Sequence, residues 1–238
     1  MSEGSDWTEH LDELRRRIIA VLVFFCATSL VAFIFSDSIA AFLMRPVAGA
    51  VRLYTFSPAE KFMAYLKLAM CSGFAVAAPF AILQAGEFIW PGLIGREKIW
   101  AAFALVAVPV LFLGGAAAAY TYLSPAAMKF FLSFASSDGV EPLWGLGAYL
   151  DLLTMMMLAF GLLLQAPLLM LILIVTGVIS AGRVASARPY VIILIFLAAG
   201  ICTPPDVFSQ IALGVPLYLL FEATLAIGWI VTRKRRTK

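Results

Sequence analysis

Apolar and polar positions along this chain fall into long blocks, with no short alternation. Uncharged runs long enough to cross about 30 Å of hydrocarbon, roughly 20 residues of helix, occur at Ile18–Ser36, Leu68–Gly86, Ile99–Met128, Leu152–Gly182 and Val207–Thr232, the last broken by Glu222. A shorter run covers Pro189–Pro205. Helix breakers trim these runs. Ser124-Pro125 should end the third helix, and Thr203-Pro204-Pro205 should end the fifth near Cys202. The predicted spans are approximately 18–36, 68–86, 99–123, 152–178, 189–202 and 209–231. This is a single all-α integral membrane domain of six transmembrane helices. From Pro189 to Cys202 the fifth span rises only about 21 Å. The sixth is short as well if Glu222 marks its edge, so the bilayer should thin beside the pair.

Six spans put both termini on one side. With the N-terminus inside, the inner side holds Arg15–Arg17, Arg96, Lys98, Arg183, Arg188, Arg233–Arg236 and Lys238. The outer side holds Arg45, Arg52, Lys61, Lys67 and Lys129. The excess of inner positive charge predicts N-in and C-in. Ahead of Arg15–Arg17 stand five acidic residues, and the run that follows is too long for a signal peptide's apolar core. An uncleaved first span is therefore expected.

Composition sharpens the class. Of 238 residues, 63% are hydrophobic and 13% charged, and the mean hydropathy is +0.99. A soluble domain carries about 25% charged residues, so nucleic-acid binders and ordinary soluble enzymes are excluded. The lone His10 rules out three-histidine zinc chemistry. No lysine precedes Ser or Thr, so there is no Walker A motif. Cys26, Cys71 and Cys202 stand singly among apolar neighbours and read as small buried hydrophobes. No cofactor is expected.

Polar residues in apolar surroundings are the remaining clues. Residues 5–17 read as an amphipathic cytoplasmic helix, capped by Asp6, with Trp7, Leu11, Leu14 and Ile18 on one face against the membrane surface. Glu13 can pair with Arg17 four residues on. Glu97, between Arg96 and Lys98, reads from composition as a solvated loop charge. Gln84 and Glu87 close the second span and can cap or bridge helices. Gln165 lies mid-span before Pro167, where an amide can satisfy the carbonyl of residue 163 that the proline frees. Asp206 can cap the sixth helix, and Gln210, one turn inside, is a candidate contact for a polar group on another span. Residues 126–134 read as a short interfacial helix in the outer connection.

Together these segments resemble one family. His10-Leu11-Asp12-Glu13-Leu14-Arg15-Arg16-Arg17 is similar to an HLxELRxR opening. Ser57-Pro58-Ala59-Glu60-Lys61-Phe62 is similar to SPxExF, and Thr203-Pro204-Pro205-Asp206-Val207-Phe208-Ser209-Gln210 to TPPDxxSQ. Pro91-Gly92-Leu93 and Phe160-Gly161 with Pro167 fit in order between them. The chain resembles TatC, the multispanning subunit of the twin-arginine protein translocase.

The resemblance implies a signal-peptide receptor and scaffold, not an enzyme, that exports folded proteins across the bacterial inner membrane using the proton motive force. It implies that Glu13 and Glu97 face the paired arginines of the signal, with Leu11 and Arg15 shaping the site. It implies TatA and TatB type single-span partners, with Thr203 and Gln210 meeting their intramembrane polar residue, and a homo-oligomeric complex in membrane lipid without nucleic acid. One departure stands out: the family usually has glutamate where this chain has Gln165. The alternative reading is a secondary transporter of ions or small solutes, which would need matched broken helices at the midplane.

Overall fold

The computed structural model describes residues 3–48, 52–89, 97–135, 143–202 and 207–236. The helical arm and the first span are one element, α1 (Glu3–Ile34). The helix therefore starts three residues ahead of Asp6, the expected cap. The arginine run is a good helix former and carries the arm into the apolar run without a break. After Phe35 come α2 (Ser36–Met44), a 3-10 turn at Arg45–Val47 and a strand β1 (Leu53–Tyr54). The second span is α3 (Pro58–Ile89).

The third span departs from expectation. Helix α4 (Glu97–Ala118) continues through a π turn at Ala119–Leu123 into α5 (Ser124–Ala135). Ser124-Pro125 does not end it. In the π turn the Ser124 N–H donates to the Ala119 carbonyl, five residues back. Pro125 follows directly as the second residue of α5, near a helix start where its missing N–H is least costly. The expected interfacial helix is thus the continuation of a span.

A second strand, β2 (Trp144–Gly145), pairs in parallel with β1, Leu53 opposite Trp144 and Tyr54 opposite Gly145. The fourth span follows as α6 (Leu146–Leu163) and α7 (Gln165–Thr176), broken at Leu164. Gly177, at φ 88°, closes it in the left-handed conformation that suits glycine. A short helix α8 (Ala181–Ser186) leads to α9 (Arg188–Cys202) and α10 (Val207–Arg236).

Among the described residues, five helices are long and apolar enough to cross a membrane, and α9 is a shorter sixth. Its 15 residues rise about 22 Å. Helix α10 has 30 residues, but Arg188 at the start of α9 is bound to Glu222. This pair sets the stretch from Val207 to Glu222, 16 residues and about 24 Å, nearly level with α9. The sixth span matches the fifth up to Glu222, and the helix then runs on.

The bundle is held by close crossings of small residues, as membrane helices require. A Cβ on Gly73 of α3 would meet the Ser29 Cα of α1 at 2.7 Å. A Cβ on Gly115 of α4 would meet the Gly161 Cα of α6 at 3.0 Å. The largest buried cluster lies at the end opposite the termini. There Ala40 and Leu43 of α2 pack with Ala64 and Leu68 of α3, Met128 of α5, and Tyr149 and Leu150 of α6.

Candidate functional site

At the end that carries the termini, α1 lies along the C-terminal part of α3. The i,i+4 spacing brings Arg17 onto Glu13. Arg17 Nε and Nη2 both donate to Glu13 Oε1, at 3.0 and 2.6 Å. Arg17 Nη1 reaches across to α3, donating to Gln84 Oε1 at 3.1 Å and to the Gln84 carbonyl at 3.5 Å. The side chain of Arg17 is 21% exposed and that of Glu13 32%, so the pair is only partly solvated.

Beside it is an apolar cleft of about 240 Å³, lined by Leu14, Ile18 and Val21 of α1 and Ala81, Ala85 and Phe88 of α3. Leu11 is 62% exposed on the arm, and Arg15 is exposed next to Glu13. Glu97 is the first residue of α4, and its side chain lies outside the described residues. The arrangement presents a carboxylate that already accepts a guanidinium, next to an apolar seat, with water on one side.

The predicted polar residues of the later spans occupy separate places. Gln165 opens α7 at the break and its Nε2 donates to the Gly161 carbonyl at 2.9 Å and to the Val108 carbonyl of α4 at 3.3 Å. The amide thus serves Gly161, not residue 163, because a side chain folded back along its own helix reaches four residues behind it. Its Oε1 is buried with no hydrogen-bond partner. Gln210 of α10 donates to the Phe196 carbonyl of α9 at 2.7 Å and sits against Gly200, whose absent side chain leaves it room. Thr203 and Asp206 lie outside the described residues.

Several polar groups that matter were not singled out by their type or spacing. Glu60, in the first turn of α3, accepts from the Phe56 N–H on Oε2 at 2.6 Å and from the Gly147 N–H on Oε1 at 2.9 Å. It joins the two outer connections beside the β1–β2 pair. The hydroxyls of Tyr120 and Tyr149 donate to the Phe42 and Leu43 carbonyls, each at 2.8 Å, and so cap the end of α2. Arg188 grips Glu222 with two bonds, Nε to Oε1 at 2.7 Å and Nη2 to Oε2 at 2.9 Å, and Tyr218 adds a third at 3.0 Å. For Glu60 the SPxExF string was the available signal. The tyrosines and Arg188 had none, since their partners are backbone carbonyls or distant in sequence.

Comparison with known proteins places this arrangement. The family model described as Sec-independent protein translocase protein (TatC) matches residues 9–216. The TatC proteins of Rickettsia prowazekii and Aquifex aeolicus are 34% and 33% identical to the chain. The alignments cover 92% and 96% of this chain, and 90% and 97% of theirs. A crystal structure of the twin-arginine translocase receptor TatC in the detergent DDM superposes with a TM-score of 0.81 at 32% identity, covering 92% of this chain and 99% of that one. These relatives are components of a protein translocase, not enzymes. Since the match runs from the arm that bears Glu13 to Pro216 within the sixth span, and the helices superpose over nearly their whole course, the chain belongs to the TatC family of Sec-independent protein translocation.

Proposed function

We propose that this protein is the signal-peptide receptor and core scaffold of the translocase, and that it reads the paired arginines of the signal with Glu13 and Glu97. The observation that carries this reading is the Glu13 carboxylate, which already holds a guanidinium by two N–H groups at 3.0 and 2.6 Å in a half-buried position. An incoming arginine asks for the same chemistry. Its planar fork fits a carboxylate in a way the single ammonium of lysine cannot match. Leu11 and Arg15 shape the approach, and the signal's apolar stretch follows the cleft between α1 and α3.

Both termini lie in the cytoplasm of a bacterium, and the protein resides in its inner membrane as a homo-oligomer with TatA and TatB type single-span proteins. Thr203 and Gln210 are the polar contacts for those partners, beside a membrane thinned by the short α9. The proton motive force drives export through the assembled complex. Gln165 keeps the hydrogen-bonding capacity of the family's glutamate but cannot titrate, so any proton step resides elsewhere in the complex.

The test is binding of a labelled twin-arginine signal peptide to the purified protein, against a twin-lysine control, in wild type and Glu97→Gln. Wild type should prefer the arginine peptide by roughly tenfold, and the variant should lose most of that preference. Equal binding of both peptides by wild type, unchanged by the substitution, would remove Glu97 from the site. Solute uptake by vesicles holding the protein alone would favour the secondary-transporter alternative.

A further inference from the structure

The carboxylate assigned to the signal's arginine is already occupied. Arg17 places two N–H groups on Glu13 Oε1, and its remaining terminal nitrogen on the Oε1 and carbonyl of Gln84. It bridges α1 and α3 at the rim of the apolar cleft. An incoming guanidinium meets an arginine of the protein's own in the seat it must take.

We infer that Arg17 is an internal occupant of the Glu13 site, which the signal's arginine displaces, and that it sets the affinity threshold for every signal peptide. The inference rests on the reading of Glu13 as a signal-binding carboxylate. The exchange needs no covalent step and no proton transfer. One guanidinium leaves the carboxylate as another arrives, and Gln84 retains the departing one through Nη1, so Arg17 is not released into hydrocarbon.

The physical consequence is specific. Displacing Arg17 costs the same free energy whichever peptide arrives. A common cost weakens all ligands by one factor and cannot change the ratio between two of them. Discrimination of arginine from lysine therefore stays with the geometry of the carboxylates. Arg17 instead lowers the absolute affinity of both, so that weak ligands fall out of the useful range.

A positioning role would behave otherwise. If Arg17 served only to orient Glu13, its removal would weaken binding and hurt the arginine peptide most, since only that peptide uses the orientation.

The experiment measures binding of labelled twin-arginine and twin-lysine peptides to the full-length protein in lipid nanodiscs, for wild type, Arg17→Gln, Arg17→Lys and Glu13→Gln. A partly exposed ion pair of this kind is worth up to about fivefold in affinity. Arg17→Gln should therefore tighten both peptides by about fivefold while their ratio stays constant. Arg17→Lys keeps the charge and loses the fork, and should tighten both by a smaller factor; it also guards against misfolding of the neutral variant. Glu13→Gln should weaken both. Weaker or unchanged binding in both Arg17 variants, with Glu13→Gln still damaging, overturns the inference and leaves the receptor reading standing. Unchanged binding in Glu13→Gln removes the carboxylate from the site and overturns both.

Discussion

The two ends of this bundle are built on different principles. The end away from the termini is laced. Glu60 ties two connections that lie 87 residues apart, two tyrosine hydroxyls close the last carbonyls of α2, and a parallel strand pair and a buried apolar cluster lie beneath. Most of these bonds end on backbone groups, whose positions are fixed by the fold.

The far end also carries exposed ion pairs, Lys67–Asp151 at 2.6 Å and Lys61–Asp37 at 3.5 Å, but at the end with the termini the links between helices rest on side-chain charges and amides, without the backbone lacing. Glu13, Arg17 and Gln84 link α1 to α3, and Arg188 and Glu222 link α9 to α10. Charged side chains at a partly wet surface exchange partners at little cost, whereas the Tyr149 bond to the Leu43 carbonyl is buried, and a buried backbone group left unsatisfied costs more. The difference fits the proposed reading, in which contacts exchange at one end while those at the other stay fixed.

Breaking the laced end should have the largest effect. Glu60→Ala strands the Phe56 and Gly147 N–H groups together and separates the outer connections. Because one carboxylate ties both connections, its loss should lower the unfolding temperature in detergent and open the outer connections to protease. Next comes Tyr149→Phe. Tyr149 is 3% exposed, and losing its hydroxyl leaves the Leu43 carbonyl without that donor, at a cost of about 1–2 kcal/mol. Chemical denaturation should resolve this. Neither change should alter the preference for arginine over lysine peptides. If either does, the two ends are coupled and the contrast between them fails.

Much of this could be read in the sequence, for physical reasons. Hydrocarbon demands long apolar helices, so the six spans were visible as uncharged runs. The Glu13–Arg17 pair was visible because helical spacing fixes which side chains meet four residues apart. The bond from Arg17 to Gln84 was not, because it depends on how α1 and α3 cross 67 residues apart. The role of Glu60 was hidden for a related reason: its partners are backbone N–H groups, which leave no signature in residue type. Pro125 misled because a proline ordinarily stops a helix, whereas here a π turn precedes it and the helix runs on. Glu222 could be noticed as a charge in an apolar run, but whether it shortens the sixth span depends on Arg188, which the sequence places on another helix.

Changes at the charged end should scarcely move stability. Glu222→Gln removes a pair whose side chains are 30% and 45% exposed, and unfolding should stay close to wild type. What should shift is the match between α9 and α10, read as altered cross-linking between cysteines placed along the two helices.

The smallest effect on the fold should come from salt, and it is the sharpest comparison of the ends. At 0.5 M salt the screening length falls to about 4–5 Å. Twin-arginine peptide binding should weaken several-fold, because it relies on charges that face water. The unfolding midpoint should barely move, because the far end is held by hydrogen bonds to backbone and by buried apolar contacts. Parallel losses of binding and stability with salt would mean that the charged end also holds the fold together, and that exchange of partners at Glu13 could not be as cheap as the geometry implies.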